Sequence, residues 1–225
     1  MVWVVIVGCA AADARPAVEP IQPLPAPSTS IRAAPVRVKA TPLPPIMELR
    51  DTRPRPTRRA FAALENERQR LEQYLAGAAQ PAPATVHDRL AEAYVQLRKL
   101  GVEGASRAAI LQYETVLREA PAYEDTDAVL YYLGIEDEAI RDNAGAERRY
   151  AELVQRHPDS VYVPLAEFAI GELELARGTS EPAAYRSALA AYLAVLEYPD
   201  SRIVPAARSR LLEVNEKLAA ASQKE

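Results

Sequence analysis

A spacing that occurs twice in the second half of the chain restricts the fold more than any other feature. In residues 146–166 and 188–207, a small residue is followed by tyrosine four positions later and by an apolar residue three positions after that. Both copies close with Pro-Asp-Ser and then Val-Pro-x-Ala, and a looser copy begins at Ala109. A period of about 20–50 residues is typical of stacked helix pairs, so we predict a helical array.

Composition divides the chain into two sections. Residues 10–56 contain 11 of the 19 prolines and carry 7 basic against 4 acidic residues. Residues 57–225 hold the remaining 20 basic and 27 acidic residues. Because proline removes backbone donors and disfavours helix, we predict a disordered Pro-rich linker over 10–56. The acidic second section argues against a nucleic-acid partner, which needs clustered lysine and arginine.

The first nine residues form an apolar run, MVWVVIVGC, that ends in the only cysteine, Cys9. Ile6-Val7-Gly8-Cys9 resembles the lipobox of bacterial lipoproteins. The resemblance implies that residues 1–9 are a lipoprotein signal and that Cys9 is lipidated after cleavage, which would anchor the chain stably to a membrane. Alanine rather than aspartate follows Cys9, and in that family this favours the periplasmic face of the outer membrane.

The apolar run departs from the usual signal in two ways. No lysine or arginine precedes it, and it is short for the apolar region of a signal peptide. Two alternatives therefore stay open: that the true start lies upstream of Met1, or that this is an incidental apolar terminus of a cytoplasmic protein.

Apolar residues at helical spacing, interrupted by Gly, Pro and Asp, predict eight helices. The first covers residues 58–76, so residues 57–83 are assigned as an N-terminal helix and its connector. The remaining residues, 84–225, form the array. Its predicted helices cover residues 85–99, 105–119, 125–140, 144–156, 162–177, 183–197 and 203–220.

The central part of the array resembles the tetratricopeptide repeat (TPR), a helix-turn-helix of 34 residues. The residues that carry the resemblance are Leu130, Leu133, Gly134, Ala146, Tyr150, Leu153 and Pro158, followed in the next repeat by Ala188, Tyr192 and Pro199. Asp137 stands where the family usually has tyrosine. The resemblance implies an all-α TPR-like solenoid of about three repeats with a capping helix.

TPR arrays bind extended peptides or helices on a concave face formed by the first helix of each repeat. The resemblance implies that Tyr131 and Phe168 are exposed anchors in this groove, and that Glu138 and Glu172 favour a basic or amide-rich ligand. A covered groove is the alternative, with helix 58–76 or a missing neighbour lying over it. The full set of implied groove residues is Asp88, Glu92, Tyr131, Ile135, Glu138, Leu165, Phe168, Glu172 and Leu175.

The sequence contains no pattern that suggests catalysis. His87 and His157 are the only histidines, and their spacing suits neither a metal site nor a triad, so both are interpreted as surface residues. Glu136, Asp137 and Glu138 are interpreted as part of a solvated, charged helix face. We therefore predict a protein that is not an enzyme and that uses no cofactor, metal or small-molecule substrate.

The phrase Pro-Asp-Ser-x-x-Val-Pro-x-Ala resembles one that recurs in TPR lipoproteins and periplasmic TPR proteins of the Gram-negative envelope. These include the TPR lipoprotein of the outer-membrane β-barrel assembly machine and the periplasmic TPR protein of the Tol-Pal and cell-division system. The resemblance implies a non-catalytic scaffold for outer-membrane biogenesis, Tol-Pal and peptidoglycan coordination, or a motility or secretion complex. An activator of a peptidoglycan-processing enzyme and a cytosolic TPR adaptor are the alternatives.

Overall fold

The helices of the protein begin and end close to the residues that the apolar spacing predicts. A computed structural model describes residues 50–78 and 82–222, and within these ranges it contains helices and turns but no strand. A 3-10 turn, Arg58–Ala60, precedes eight α-helices. Their bounds are α1 Phe61–Gly77, α2 Ala84–Lys99, α3 Ala105–Glu119, α4 Thr126–Ala139, α5 Asn143–Arg156, α6 Val163–Arg177, α7 Ala184–Val195 and α8 Val204–Ser222. The all-α prediction is confirmed.

The turns between helices follow from residues that suit chain reversal. Gly101 and Gly104 have φ values of 90° and 74° between α2 and α3, a region that favours glycine because it has no Cβ. The carboxylate of Asp142 accepts a hydrogen bond of 2.9 Å from the backbone amide of Gly145 and caps α5. Pro164 lies in the first turn of α6, where a missing N–H costs little.

Each helix packs mainly against the helices that precede and follow it in the chain. The short connections make α2/α3, α4/α5 and α6/α7 helical hairpins, and α8 packs against α7 at the end of the series. One apolar core runs from α2 to α8. This arrangement, in which contacts are made between neighbours, is compatible with an all-α helical-repeat fold.

Two glycines set how closely the hairpin helices approach. A Cβ on Gly134 would lie 2.7 Å from Cζ of Tyr150, and a Cβ on Gly171 would lie 2.9 Å from Cζ of Tyr192. Both tyrosine rings are fully buried, so each glycine makes room for the aromatic ring of the paired helix. The other residues that carry the repeat spacing divide into two groups: Leu130, Leu133, Ala146, Leu153 and Ala188 are buried, whereas Pro158 and Pro199 are exposed in turns.

The packed part of the chain begins earlier than the sequence predicts. Residues 50–56, assigned to the linker, lie against the helices, and Arg50 is only 3% exposed. Two of their arginines, Arg50 and Arg53, contact carboxylates and tyrosines of the array. The proline-rich composition of the segment does not predict these contacts. Residues 1–49, which include Cys9, the lipoprotein signal and most of the linker, lie outside the described residues.

One further expectation about exposure was wrong. His87 is buried, and its Nδ1 lies 2.7 Å from the side-chain oxygen of Gln112, because α2 turns this side chain toward α3. On α1 the apolar stripe is only partly covered: Leu71 is buried, whereas Phe61 and Tyr74 are exposed.

Candidate binding groove

A short segment of the chain's own N-terminal section, helical at Arg50 and without regular structure after it, lies across the helical hairpins. We call Arg50–Arg53 the basic segment. The hydroxyl of Tyr131 donates a hydrogen bond of 2.7 Å to the backbone oxygen of Arg50, and Nζ of Lys99 donates one of 3.1 Å to that of Arg53. The hydroxyl of Thr52 is hydrogen-bonded to that of Tyr132. Side chains of α2 and α4 therefore hold the segment.

Arg50 is enclosed by α4 and α5. Its guanidinium donates to both carboxylate oxygens of Glu138 and, over 3.0 Å, to the hydroxyl of Tyr150. Burial opposes the charge, but Tyr150 and the Glu138 carboxylate outweigh burial and hold the pKa of Arg50 above its ordinary value. A bidentate guanidinium–carboxylate pair with a further hydroxyl acceptor is a specific site for arginine, because the planar fork of donors fits it.

Arg53 occupies a second site, formed by α2, α3 and α4. It donates a hydrogen bond of 2.8 Å to the hydroxyl of Tyr113, and its guanidinium carbon lies 3.5 Å from the ring centre of Tyr132. Its Nε lies 3.8 Å from the carboxylate of Glu92. Cation–π contact, ion pairing and hydrogen bonding thus act on one side chain. Between the two sites, Asp51 forms an ion pair of 2.8 Å with Lys99.

In the third hairpin, Tyr192 occupies the position that Tyr113 and Tyr150 occupy in the first two. The arginine near Tyr192 comes from α8 rather than from the basic segment. The hydroxyl of Tyr192 donates a hydrogen bond of 2.5 Å to Glu172, and Nε and Nη2 of Arg210 lie 2.7 Å and 2.9 Å from the same carboxylate. One buried tyrosine in each of α3, α5 and α7 is thus linked to an arginine, directly or through a carboxylate: Tyr113, Tyr150 and Tyr192. Burial raises the pKa of Tyr113 and Tyr150 above the usual range, so both hydroxyls stay protonated.

The structure brings some of the predicted groove residues together and separates others. Tyr131, Glu138 and Glu92 meet at the basic segment. Asp88 lies on α2 nearby and accepts a hydrogen bond of 3.1 Å from Tyr123. Ile135 and Leu175 belong to the apolar core, and Glu172 belongs to the separate Arg210 cluster.

The expectation that Tyr131 and Phe168 are exposed anchors was wrong. Both are fully buried. Tyr131 lies under Arg50 and stacks on Tyr162 with 5.1 Å between the ring centres, whereas Phe168 packs at 5.4 Å against the ring of Tyr192. The predicted alternative, a covered groove, describes Tyr131, but the covering element is the basic segment rather than α1.

The acidic cluster of α4 is not a solvated helix face. Successive residues of an α-helix are rotated by about 100°, so three consecutive carboxylates cannot share one face. Glu136 is fully buried with an ion pair of 2.8 Å to Arg98 of α2, and Asp137 lies 3.8 Å from Arg149 of α5. Glu138 meets Arg50. Burial, opposed by Arg149, raises the pKa of Asp137 to about 6.

A cavity of about 350 Å³ adjoins the basic segment on the side of the third hairpin. It places the predicted groove residue Leu165 beside Thr52 and Tyr162. The remaining lining residues are Val161, Ser201 and Arg202. Space next to the segment therefore continues toward α6.

Sequence reasoning placed Arg50 and Arg53 at the basic distal end of the linker and did not connect them with the tyrosine hydroxyls that receive them. Tyr150 was assigned to the repeat spacing alone. The available signal was the charge difference between the basic linker and the acidic array. That difference favours contact between the two sections, although it does not identify the residues.

Residues 50–78 and 82–222 contain no group of three or more His, Cys, Asp or Glu residues that could hold a metal ion. No helix within them has the length and apolar character required to cross a membrane. The chain matches no protein-family model and no curated protein sequence.

Proposed function

We propose that the protein is a TPR-type scaffold that binds segments of partner proteins in the groove along α2, α4 and α6. The observation that carries this proposal is the way side chains of successive hairpins hold Arg50–Arg53. Contacts to backbone oxygens and to side chains together are the means by which grooves recognise non-helical peptides. A groove that holds one such segment has the chemistry to hold another.

The arrangement of hairpins supports the repeat part of the proposal. In this assignment α2/α3, α4/α5 and α6/α7 are three TPR repeats and α8 is the capping helix, with Gly134 and Gly171 at the close-approach position. Arginine side chains pair with carboxylates of the groove, and burial raises the pKa of Tyr113 and Tyr150 so that their hydroxyls stay protonated; both features suit binding. The proposed role is therefore non-catalytic.

The proposed location is the bacterial envelope, with the chain anchored by lipid at Cys9 to the periplasmic face of the outer membrane. This part rests on the lipobox resemblance at residues 6–9. The proline-rich residues 10–49 would then connect the anchor to the array. The partners would be subunits of an envelope assembly for outer-membrane biogenesis, Tol-Pal and peptidoglycan coordination, motility or secretion.

Intact-mass analysis and crosslinking of one membrane fraction test location and partner together. Wild type should carry acyl mass that is lost in Cys9→Ala, because only the thiol can receive the lipid. Crosslinks from the wild-type array should join it to envelope proteins. A soluble chain without acyl mass would exclude the anchor, and an array that crosslinks to no protein would contradict the scaffold role.

A further inference from the structure

The basic segment lacks the features of a permanent part of the core. None of its four residues, Arg50, Asp51, Thr52 and Arg53, is apolar. Its contacts are ion pairs, hydrogen bonds and the stacking of Arg53 on Tyr132. The segment buries no apolar side chain of its own, and segments with few buried apolar contacts open at low free-energy cost.

The groove that the segment leaves would remain formed. The side chains that contact it lie on helices α2 to α5, whose apolar faces pack against each other without help from the segment. Glu138 and Glu92 are 17% and 52% exposed even with the segment bound, so both are already in contact with water. On release these carboxylates would become hydrated and available to another cation.

The two arginine sites lie on neighbouring hairpins. Arg50 is helical and residues 51–53 are not, and a step of three residues spans at most about 10 Å. Arg50 reaches Tyr150 of the second hairpin, whereas Arg53 reaches Tyr113 of the first. One chain with arginines three residues apart therefore fills both sites.

From these observations we propose that Arg50–Arg53 is an intramolecular ligand that a partner displaces, and that the partner binds through a segment with two arginines three residues apart. This inference rests on the proposed scaffold function and names the chemistry of its partner. The cavity beside Leu165 and Tyr162 offers a longer partner segment contacts that the basic segment leaves unused. Because a tethered segment competes at an effective concentration of about 1 mM, wild type should bind such a partner weakly.

The test measures fluorescence anisotropy of a labelled peptide with the sequence of residues 48–57, ELRDTRPRPT, added to the full chain. The variant Arg50→Ala/Arg53→Ala should bind this peptide about 10- to 100-fold more tightly than wild type, because the intramolecular competitor is weakened. The matched control Arg55→Ala/Arg58→Ala removes two exposed arginines of the same region and should bind as wild type does. A peptide with glutamine in place of Arg50 and Arg53, which keeps Arg55, should not bind.

A second variant, Arg50→Lys/Arg53→Lys, tests the proposal in case the alanine variant does not fold. Lysine keeps the charge but not the bidentate fork, so this variant should bind the peptide with intermediate affinity. Circular dichroism and thermal unfolding would establish that each variant is folded. Folded variants with no gain in peptide affinity would overturn the proposal, as would loss of the fold in both, because a displaceable ligand is not needed for folding.

The outcomes separate this inference from the proposed function. If the peptide does not bind the folded variants while the membrane-fraction crosslinks persist, the scaffold stands and the arginine inference alone fails. Dimers of wild type that disappear in Arg50→Ala/Arg53→Ala would identify a second copy as the occupant and would also overturn it.

Discussion

The buried carboxylate of Asp137 makes the stability of the central hairpin depend on pH. Its side chain is nearly inaccessible, and its nearest cation, Arg149, lies 3.8 Å away and is shared with Glu114. Burial raises the pKa of Asp137 to about 6 from an ordinary value of 3.8. The folded protein thus binds a proton more tightly here than the unfolded chain does, and ionisation at neutral pH opposes folding.

We expect Asp137→Asn to stabilise the protein at pH 7.5. The amide keeps the shape and carries no charge to bury, and the pKa difference corresponds to at most about 3 kcal/mol, so a gain of about 1–3 kcal/mol is expected. The advantage should shrink as the pH falls from 6 toward 4, because the wild-type carboxyl then becomes protonated in the fold. Urea unfolding of both proteins at pH 7.5 and 4.5 measures this, and an unchanged difference would contradict it.

The two helices of a hairpin approach closely because α4 and α6 each have a glycine at the contact: Gly134 in α4 and Gly171 in α6. The Tyr150 ring beside Gly134 is held by Glu138 and by Arg50, so it cannot swing away from an added methyl group. Tyr192 beside Gly171 is held in the same way through Glu172. The glycines are therefore packing residues here rather than sources of backbone freedom.

Gly134→Ala should destabilise the protein although alanine favours helix. Overpacking against a fixed ring lowers the free energy of unfolding by about 1–3 kcal/mol, whereas the higher helix propensity of alanine raises it by about 0.5–1 kcal/mol. The matched control is Gly77→Ala at the end of α1, where an added Cβ meets no atom within 4 Å. It should be neutral or slightly stabilising. Thermal unfolding of the two variants compares them, and equal stability would contradict the packing role.

The helices could be predicted from the sequence, whereas the occupant of the groove could not. Helices α5 and α6 follow from apolar residues at helical spacing between Asp and Pro turns, and these signals are local. The basic segment has no periodicity, and its partners lie 39 to 100 residues away in the chain. Nothing in Arg50-Asp51-Thr52-Arg53 alone indicates which helices receive it. Tyr150 has two roles: its ring occupies the tyrosine position of the repeat spacing, and its hydroxyl accepts a hydrogen bond from Arg50 in the groove.

At the scale of the whole molecule, neighbour-to-neighbour packing should keep perturbations local. Helices distant in the chain make few contacts with each other, so the stability of such an array is a sum of hairpin and interface contributions. The N-terminal hairpins are linked by the basic segment, and the last hairpin is linked to α8 through Arg210 and Glu172. The two ends of the array are thus stabilised by different arginines.

Arg210→Ala should therefore loosen the C-terminal end alone. Its removal leaves the partly buried Glu172 and the hydroxyl of Tyr192 without their cation, at a cost of about 1–3 kcal/mol. Hydrogen exchange should become faster in α7 and α8, while α2 and α3 keep their protection. Arg208→Ala, on the exposed side of the same helix, is the matched control and should leave both regions unchanged. A uniform loss of protection from α2 to α8 would show instead that the array unfolds as one cooperative unit, and the separate action of its two ends would then be wrong.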